Sequence, residues 1–162
     1  MDELKQIIAD FQMDQLSAYG NLPERTKRLI SFAVLTALGT LKSIPQEVAQ
    51  ALSAKVTPEA IAEAIFQCAP YTGCTRALEA LEEAERAMHS QGIRLPLKSR
   101  ATVTKDTRLA QGLAAQYAIF GKGNIDRNWE SAPPELRHIQ EYLSSYCFGD
   151  FYTRGELDLC TR

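Results

Sequence analysis

Histidine is scarce in this sequence, with only His89 and His138, and none of the four cysteines forms a C-x-x-C pair. Structural zinc needs four nitrogen or sulfur ligands at characteristic spacings, so no metal site and no cofactor is expected. Cys68, Cys74, Cys147 and Cys160 read as free, buried thiols of a reducing compartment. Excess positive charge is missing too: 18 Lys and Arg face 20 Asp and Glu, a formal net charge of -2. Nucleic-acid binders carry a basic footprint, so no nucleic-acid partner is expected. The most apolar stretch, Leu29 to Leu38, falls far short of the ~20 residues of a membrane-crossing helix and reads as a core helix. Met1-Asp2-Glu3-Leu4-Lys5 has no basic region followed by an apolar core. The expectation is a cytoplasmic protein with no membrane partner.

What is present is a globular balance over 162 residues, 45% hydrophobic and 23% charged. That suits one ordinary domain or two small, intimately packed halves. Helical periodicity dominates. Leu4, Ile7, Ile8 and Phe11 form one stripe of an expected helix over 2–18, broken by Gly20-Asn21-Leu22-Pro23. A helix from Glu24 to Leu38 is apolar nearly all round, should be the most buried element, and ends at Gly39. A short helix follows from Pro45 to Ala54. Thr57-Pro58-Glu59 then combines a capping hydroxyl, a first-turn proline and an acid at the positive helix end. Ile61, Ala64, Ile65 and Cys68 mark its inner face. Beyond Pro70 and Gly73, a helix from Cys74 to His89 should turn Cys74, Leu78, Leu81 and Met88 inward.

Residues 92–107 have no period and read as a connector between a module over 1–91 and a second segment over 108–162. In that segment Leu109, Leu113, Tyr117 and Phe120 fit one helical face. A further helix opening at Pro133-Pro134 should bury Leu136, Ile139, Leu143 and Tyr146, and Phe148 to Arg162 reads as a turn-rich arm. No segment alternates as a strand does, so the expected class is all-α, with about seven helices.

The stretch Arg25-Thr26-Lys27-Arg28-Leu29 to Gly39, followed by Val56-Thr57-Pro58-Glu59, Glu63 and Tyr71-Thr72-Gly73, resembles a carboxymuconolactone decarboxylase module of the alkylhydroperoxidase-like superfamily. The likeness covers Leu22 to Leu81. Gly149 to Arg162 resembles the arm that leads into such a module, which suggests a tandem protein whose second module lies beyond Arg162. A C-terminal arm that packs on a partner subunit is the alternative. The resemblance also implies a homo-oligomer, because such modules pair through helical faces.

For chemistry the resemblance implies departures. The peroxidase branch uses a glutamate, two cysteines and a histidine: a thiolate attacks the peroxide and a second thiol resolves it. Those positions correspond here to Arg28, Thr40, Ser43 and Glu47, so this half should lack such peroxidase activity. The decarboxylase branch places a histidine near Glu47. A carboxylate there could act as general base, and Arg28 could hold an anionic substrate, a small organic acid or lactone. The plainer reading of Arg28 and Glu47 is a salt bridge or a solvated helix face. Tyr71 sits at the module's central turn, where a core tyrosine with a satisfied hydroxyl is the plain reading. Cys68 and Cys74, spaced C-x5-C across a turn, are the redox candidates, against a reading as buried structural thiols. Three functions therefore stand open: a decarboxylase-type enzyme, a non-catalytic oligomerisation module, and a thiol redox protein.

Overall fold

The computed structural model describes residues 2–11 and 20–162, and the part of the expected 2–18 helix from residue 12 onward lies outside the described residues. Eight α-helices follow in order: α1 (Asp2–Asp10), α2 (Glu24–Leu38), α3 (Ile44–Ser53), α4 (Pro58–Thr72), α5 (Cys74–Ser90), α6 (Arg108–Phe120), α7 (Lys122–Ser131) and α8 (Arg137–Tyr142). A π-helix over Leu143–Tyr152 continues α8, and short 3-10 turns precede α3 and α8. Among the described residues there is no strand, so the protein is all-α.

Helix ends follow local chemistry. Thr57 caps α4, its hydroxyl accepting from the amide of Ala60 at 3.1 Å, with Pro58 at the first turn. At the far end of α2, Gly39 takes φ 68, a left-handed conformation that lets its amide and that of Thr40 reach the carbonyls of Thr36 and Leu35. Gly73, at φ 93, separates α4 from α5.

The core lies among α2, α3, α4 and α5, where Phe32, Ile44, Val48, Ile61, Ile65 and Met88 are all fully buried. The central element is α4 rather than α2: between Ala60 and Ala69 only Phe66 is not fully enclosed. One face of α2, carrying Leu29, Phe32 and Thr36, packs inward. Its other apolar residues, Ile30, Val34 and Leu38, point to solvent, with Leu38 70% exposed. A helix apolar on all sides does not reveal which side its own chain will cover. The inner face of α5 also differs from expectation. Ala77, Ala80, Ala84, Ala87 and Met88 are buried, whereas Cys74 and Leu78 are exposed. Small alanines let α5 lie close to α3 and α4, and that close approach outweighs the pull of a single larger leucine.

Helices α6 and the π-helix pack backbone against backbone. A Cβ on Gly112 would stand 1.8 Å from the carbonyl oxygen of Ser144, and one on Gly149 would stand 2.2 Å from that of Arg108. Gly112 and Gln116 are therefore the buried positions of α6, in place of the expected leucine stripe. The widened i to i+5 turn of the π-helix moves its inner face to Ser144, Ser145, Cys147 and Phe148. Leu136, Ile139 and Leu143, expected inside from a 3.6-residue period, are exposed.

The arm after the π-helix folds back onto the core formed by α2 to α5. Leu157 joins the core, the amide of Gly155 donates to the carbonyl of Arg100 at 2.9 Å, and Thr57 donates to Glu156 at 2.6 Å. Ile93 and Leu97, from the stretch without helix after α5, also pack against the core.

Candidate functional site

The sequence candidates fall into two groups. Arg28, on α2, and Glu47, on α3, do meet, at 3.1 Å. The guanidinium of Arg28 is also taken up by Glu24 at 2.7 Å and by the side-chain carbonyl of Gln50 at 2.5 Å. Two carboxylates thus face its one charge. Such a cluster is a closed ion pair with no positive charge left over for a substrate. Glu47 also lines a shallow hollow with Ile30, Ser31 and Val34, which Tyr71, Cys68 and Cys74 do not share.

The larger electrostatic feature is one that the sequence reading missed. Glu63 lies on the buried face of α4 and is 2% exposed. Arg154, from the arm, grips it with Nε at 3.0 and 2.9 Å and Nη2 at 2.8 Å, its guanidinium stacked 4.2 Å from the centre of the Phe66 ring. The guanidinium of Arg162 is fully buried and reaches the same carboxylate through Nη2 at 3.2 Å. Arg162 also donates through Nη1 to the side-chain carbonyl of Gln67 at 3.1 Å, and through Nη2 to the carbonyls of Arg154 and Gly155, each at 2.8 Å. Burial pushes the Arg162 guanidinium below its ordinary pKa, with Glu63 opposing the shift. At Glu63 itself two cations face one anion, with Asp158 a weaker negative neighbour of Arg162. A glutamate inside the apolar run from Ala60 to Ala69 was the sequence signal for this cluster, because a buried carboxylate demands a partner.

Through Arg162 and Gln67 the cluster meets a cavity of about 380 Å³, which Glu63 and Arg154 do not line. Its walls are mostly apolar, from Leu29, Ile30, Ala33 and Ala37 of α2, Ala64 and Cys68 of α4, and Leu157 of the arm. Gln67 and Arg162 line it as well. The amide carbonyl of Gln67 is taken by Arg162, while its Nε2 is buried and has no partner among the described residues. Cys68 is buried, contacts the Ala64 carbonyl at 3.3 Å, and has its thiol pKa pushed up by burial.

Tyr71 is 62% exposed rather than a core residue, and it lines this cavity as well as a second one. Its hydroxyl is satisfied at 2.8 Å by that of Tyr152 and lies 3.7 Å from the sulfur of Cys147. Burial of the hydroxyl, first, and these two hydrogen bonds, second, raise its pKa, so the phenol keeps its proton. Cys74 is exposed and pairs at 3.1 Å with the hydroxyl of Tyr146. Each redox candidate thus meets a partner other than the second cysteine, and all four thiols are free. The sequence placed Tyr146 on a helical face, Cys147 among the buried thiols and Tyr152 in the arm, but not their approach to Tyr71 and Cys74, because a π-helix presents them.

Among the described residues no group of three or more His, Cys, Asp or Glu side chains could hold a metal ion, and no helix is long and apolar enough to cross a membrane. Compared with known proteins, residues 2–86 match the model of the carboxymuconolactone decarboxylase family. No curated protein and no solved structure matches the chain.

Proposed function

The chain belongs to the carboxymuconolactone decarboxylase family, and from that premise we propose that it is the first part of a tandem enzyme that binds a small organic acid or lactone between α2, α4 and the C-terminal arm. The observation that carries this reading is the charge count at Glu63: two guanidinium groups, that of Arg162 fully buried and that of Arg154 partly so, share one carboxylate. A carboxylate-bearing ligand would neutralise the surplus charge and accept from Gln67 Nε2, while the apolar walls would take its ring or chain. Tyr71, at the edge of the same cavity, is a proton-bearing donor that could orient a lactone carbonyl. Arg28 and Glu47 take no part, because they neutralise each other. The tandem arrangement is supported by the likeness of residues 149–162 to a module lead-in. The reacting groups would then lie on the second module, with this part holding the acid.

Gln67→Glu tests the reading. It adds one negative charge beside Arg162 with almost no change in shape. Calorimetric titration with a lactone carboxylate should give saturable binding to the parent, weakened at least about tenfold in the variant. Equal affinity in both proteins would end the acid-binding reading.

The alternative, a non-catalytic oligomerisation module, draws support from Ile30, Val34 and Leu38, a helical stripe of α2 that the chain leaves bare. Ile30 also lines the acid-binding cavity, so a second copy seated on the stripe would border that cavity. Light scattering that reports an 18.0 kDa particle at micromolar concentration would remove the oligomer from the proposal.

A further inference from the structure

The second cavity, of about 500 Å³, lies between α6, α7 and the π-helix, in the part of the chain beyond the family match. Its chemistry differs from that of the acid-binding cavity. Among the described residues no charged side chain lines it; the polar groups are four carboxamides, from Gln116, Asn124, Asn128 and Gln140, with Tyr71 and Cys147, and the walls include Phe120 and Phe148. These two rings meet edge to face with centres 5.8 Å apart.

Gln116 is the key residue. It is 3% exposed, and its side-chain carbonyl accepts at 2.7 Å from the hydroxyl of the fully buried Ser144. That bond fixes which end of the amide is which. The carbonyl faces Ser144, and among the described residues nothing accepts from Nε2, on a side chain that lines the cavity. The arrangement is set by backbone packing one turn away, where Gly112 lies against the Ser144 carbonyl and holds α6 in register with the π-helix. That donor is therefore open to a ligand in the cavity, and a π-helix at such a place frequently marks a functional site.

We propose that this cavity binds a small, uncharged, flat ligand whose carbonyl oxygen accepts from Gln116 Nε2. An anion or cation would shed its hydration here and find no counter-charge. A neutral ring system would pack on Phe120 and Phe148 and place one acceptor at the Gln116 amide nitrogen. The site is separate from the acid-binding cavity, and Tyr71 is the only side chain that lines both.

Coumarin, an uncharged planar lactone, is a suitable probe, and coumarin-3-carboxylate is its charged counterpart. Titration of the full chain, followed by calorimetry and by NMR line shifts, should show a saturable coumarin site with a Kd at or below about 1 mM whose shifts centre on Gln116, Phe120 and Phe148; shifts centred on Gln67 and Leu157 instead would place the lactone in the acid-binding cavity and overturn the proposal. Gln116→Leu should weaken coumarin binding about tenfold. Because that variant leaves the Ser144 hydroxyl without an acceptor, Leu143→Trp serves as a second test. Leu143 is a partly exposed lining residue, and an indole there fills the cavity without disturbing the core; binding should fall at least about tenfold while the helical circular dichroism is kept. Coumarin-3-carboxylate should not displace coumarin. Absence of saturable coumarin binding, unchanged affinity in folded Gln116→Leu or Leu143→Trp, or displacement by the carboxylate would each overturn the proposal. Gln67→Glu should leave coumarin binding unchanged, which separates this result from failure of the acid-binding reading.

Discussion

Replacing Glu63 by glutamine tests the part of the structure on which the acid-binding proposal depends. The parent carboxylate accepts three bonds from Arg154, the shortest at 2.8 Å, and one from Arg162 at 3.2 Å. At an effective dielectric of about 20, each unit-charge attraction at such distances is worth about 5 kcal/mol, set against a desolvation cost of several kcal/mol per ion. The difference is small while the cluster is intact. Once the carboxylate becomes an amide, the desolvation cost stays and the attraction goes, and two guanidinium groups repel across one neutral acceptor. Removing one member of a buried pair typically costs about 3–5 kcal/mol, a large share of the roughly 5–15 kcal/mol that holds a domain together. For a chain of this length each kcal/mol moves the Tm by about 2–4 °C, so thermal unfolding followed at 222 nm should fall by about 6–20 °C. Glu83→Gln is the comparison, because its pair with Arg86 lies on the surface and should change stability by less than about 1 kcal/mol. If the two variants shifted Tm equally, or Glu63→Gln shifted it by less than about 3 °C, the claim that Glu63 anchors the arm would fail.

Three further outcomes follow from the same coordinates. Gly112→Ala forces a methyl group to within 1.8 Å of a backbone oxygen, so α6 must separate from the π-helix; destabilisation of at least about 3 kcal/mol in chemical unfolding is expected, and a neutral effect would contradict that packing. Iodoacetamide at neutral pH should label Cys74 and Cys160 quickly and leave Cys68 and Cys147 largely unmodified, because the last two are buried with raised thiol pKa values; peptide mapping by mass spectrometry reads the order directly. Alkaline stability should reflect the phenols: the bond to Cys74, followed by burial, pushes Tyr146 up to about 12, and Tyr71 is raised as well. A raised pKa contributes stability that is complete below the unfolded value near 10 and lost as pH climbs through the folded value, so Tm should drop between about pH 10 and 12, and Tyr146→Phe should flatten that drop.

By itself the sequence determined the helical class, the punctuation of α2 and α4, and the family. Each depends on residues near one another along the chain: Thr57 caps its own helix, Gly39 turns its own C-terminus, and the Val56-Thr57-Pro58-Glu59 and Tyr71-Thr72-Gly73 motifs lie within single turns. It also singled out Arg28 and Glu47, which do come together. Tertiary structure alone decided what those residues are free to do. Glu24 and Gln50 close the Arg28–Glu47 pair, whereas Arg154 and Arg162, more than ninety positions from Glu63, converge on it and leave charge to spare. Tertiary contacts likewise turned alanines rather than leucines inward on α5. A π-helical turn, which no 3.6-residue pattern encodes, carried Ser144, Cys147 and Phe148 to the inside in place of Leu136, Ile139 and Leu143. Periodicity reports which side chains could be buried; which are buried, and which charge finds a partner, depends on how closely two backbones can approach, and here Gly112 and Gly149 set that distance.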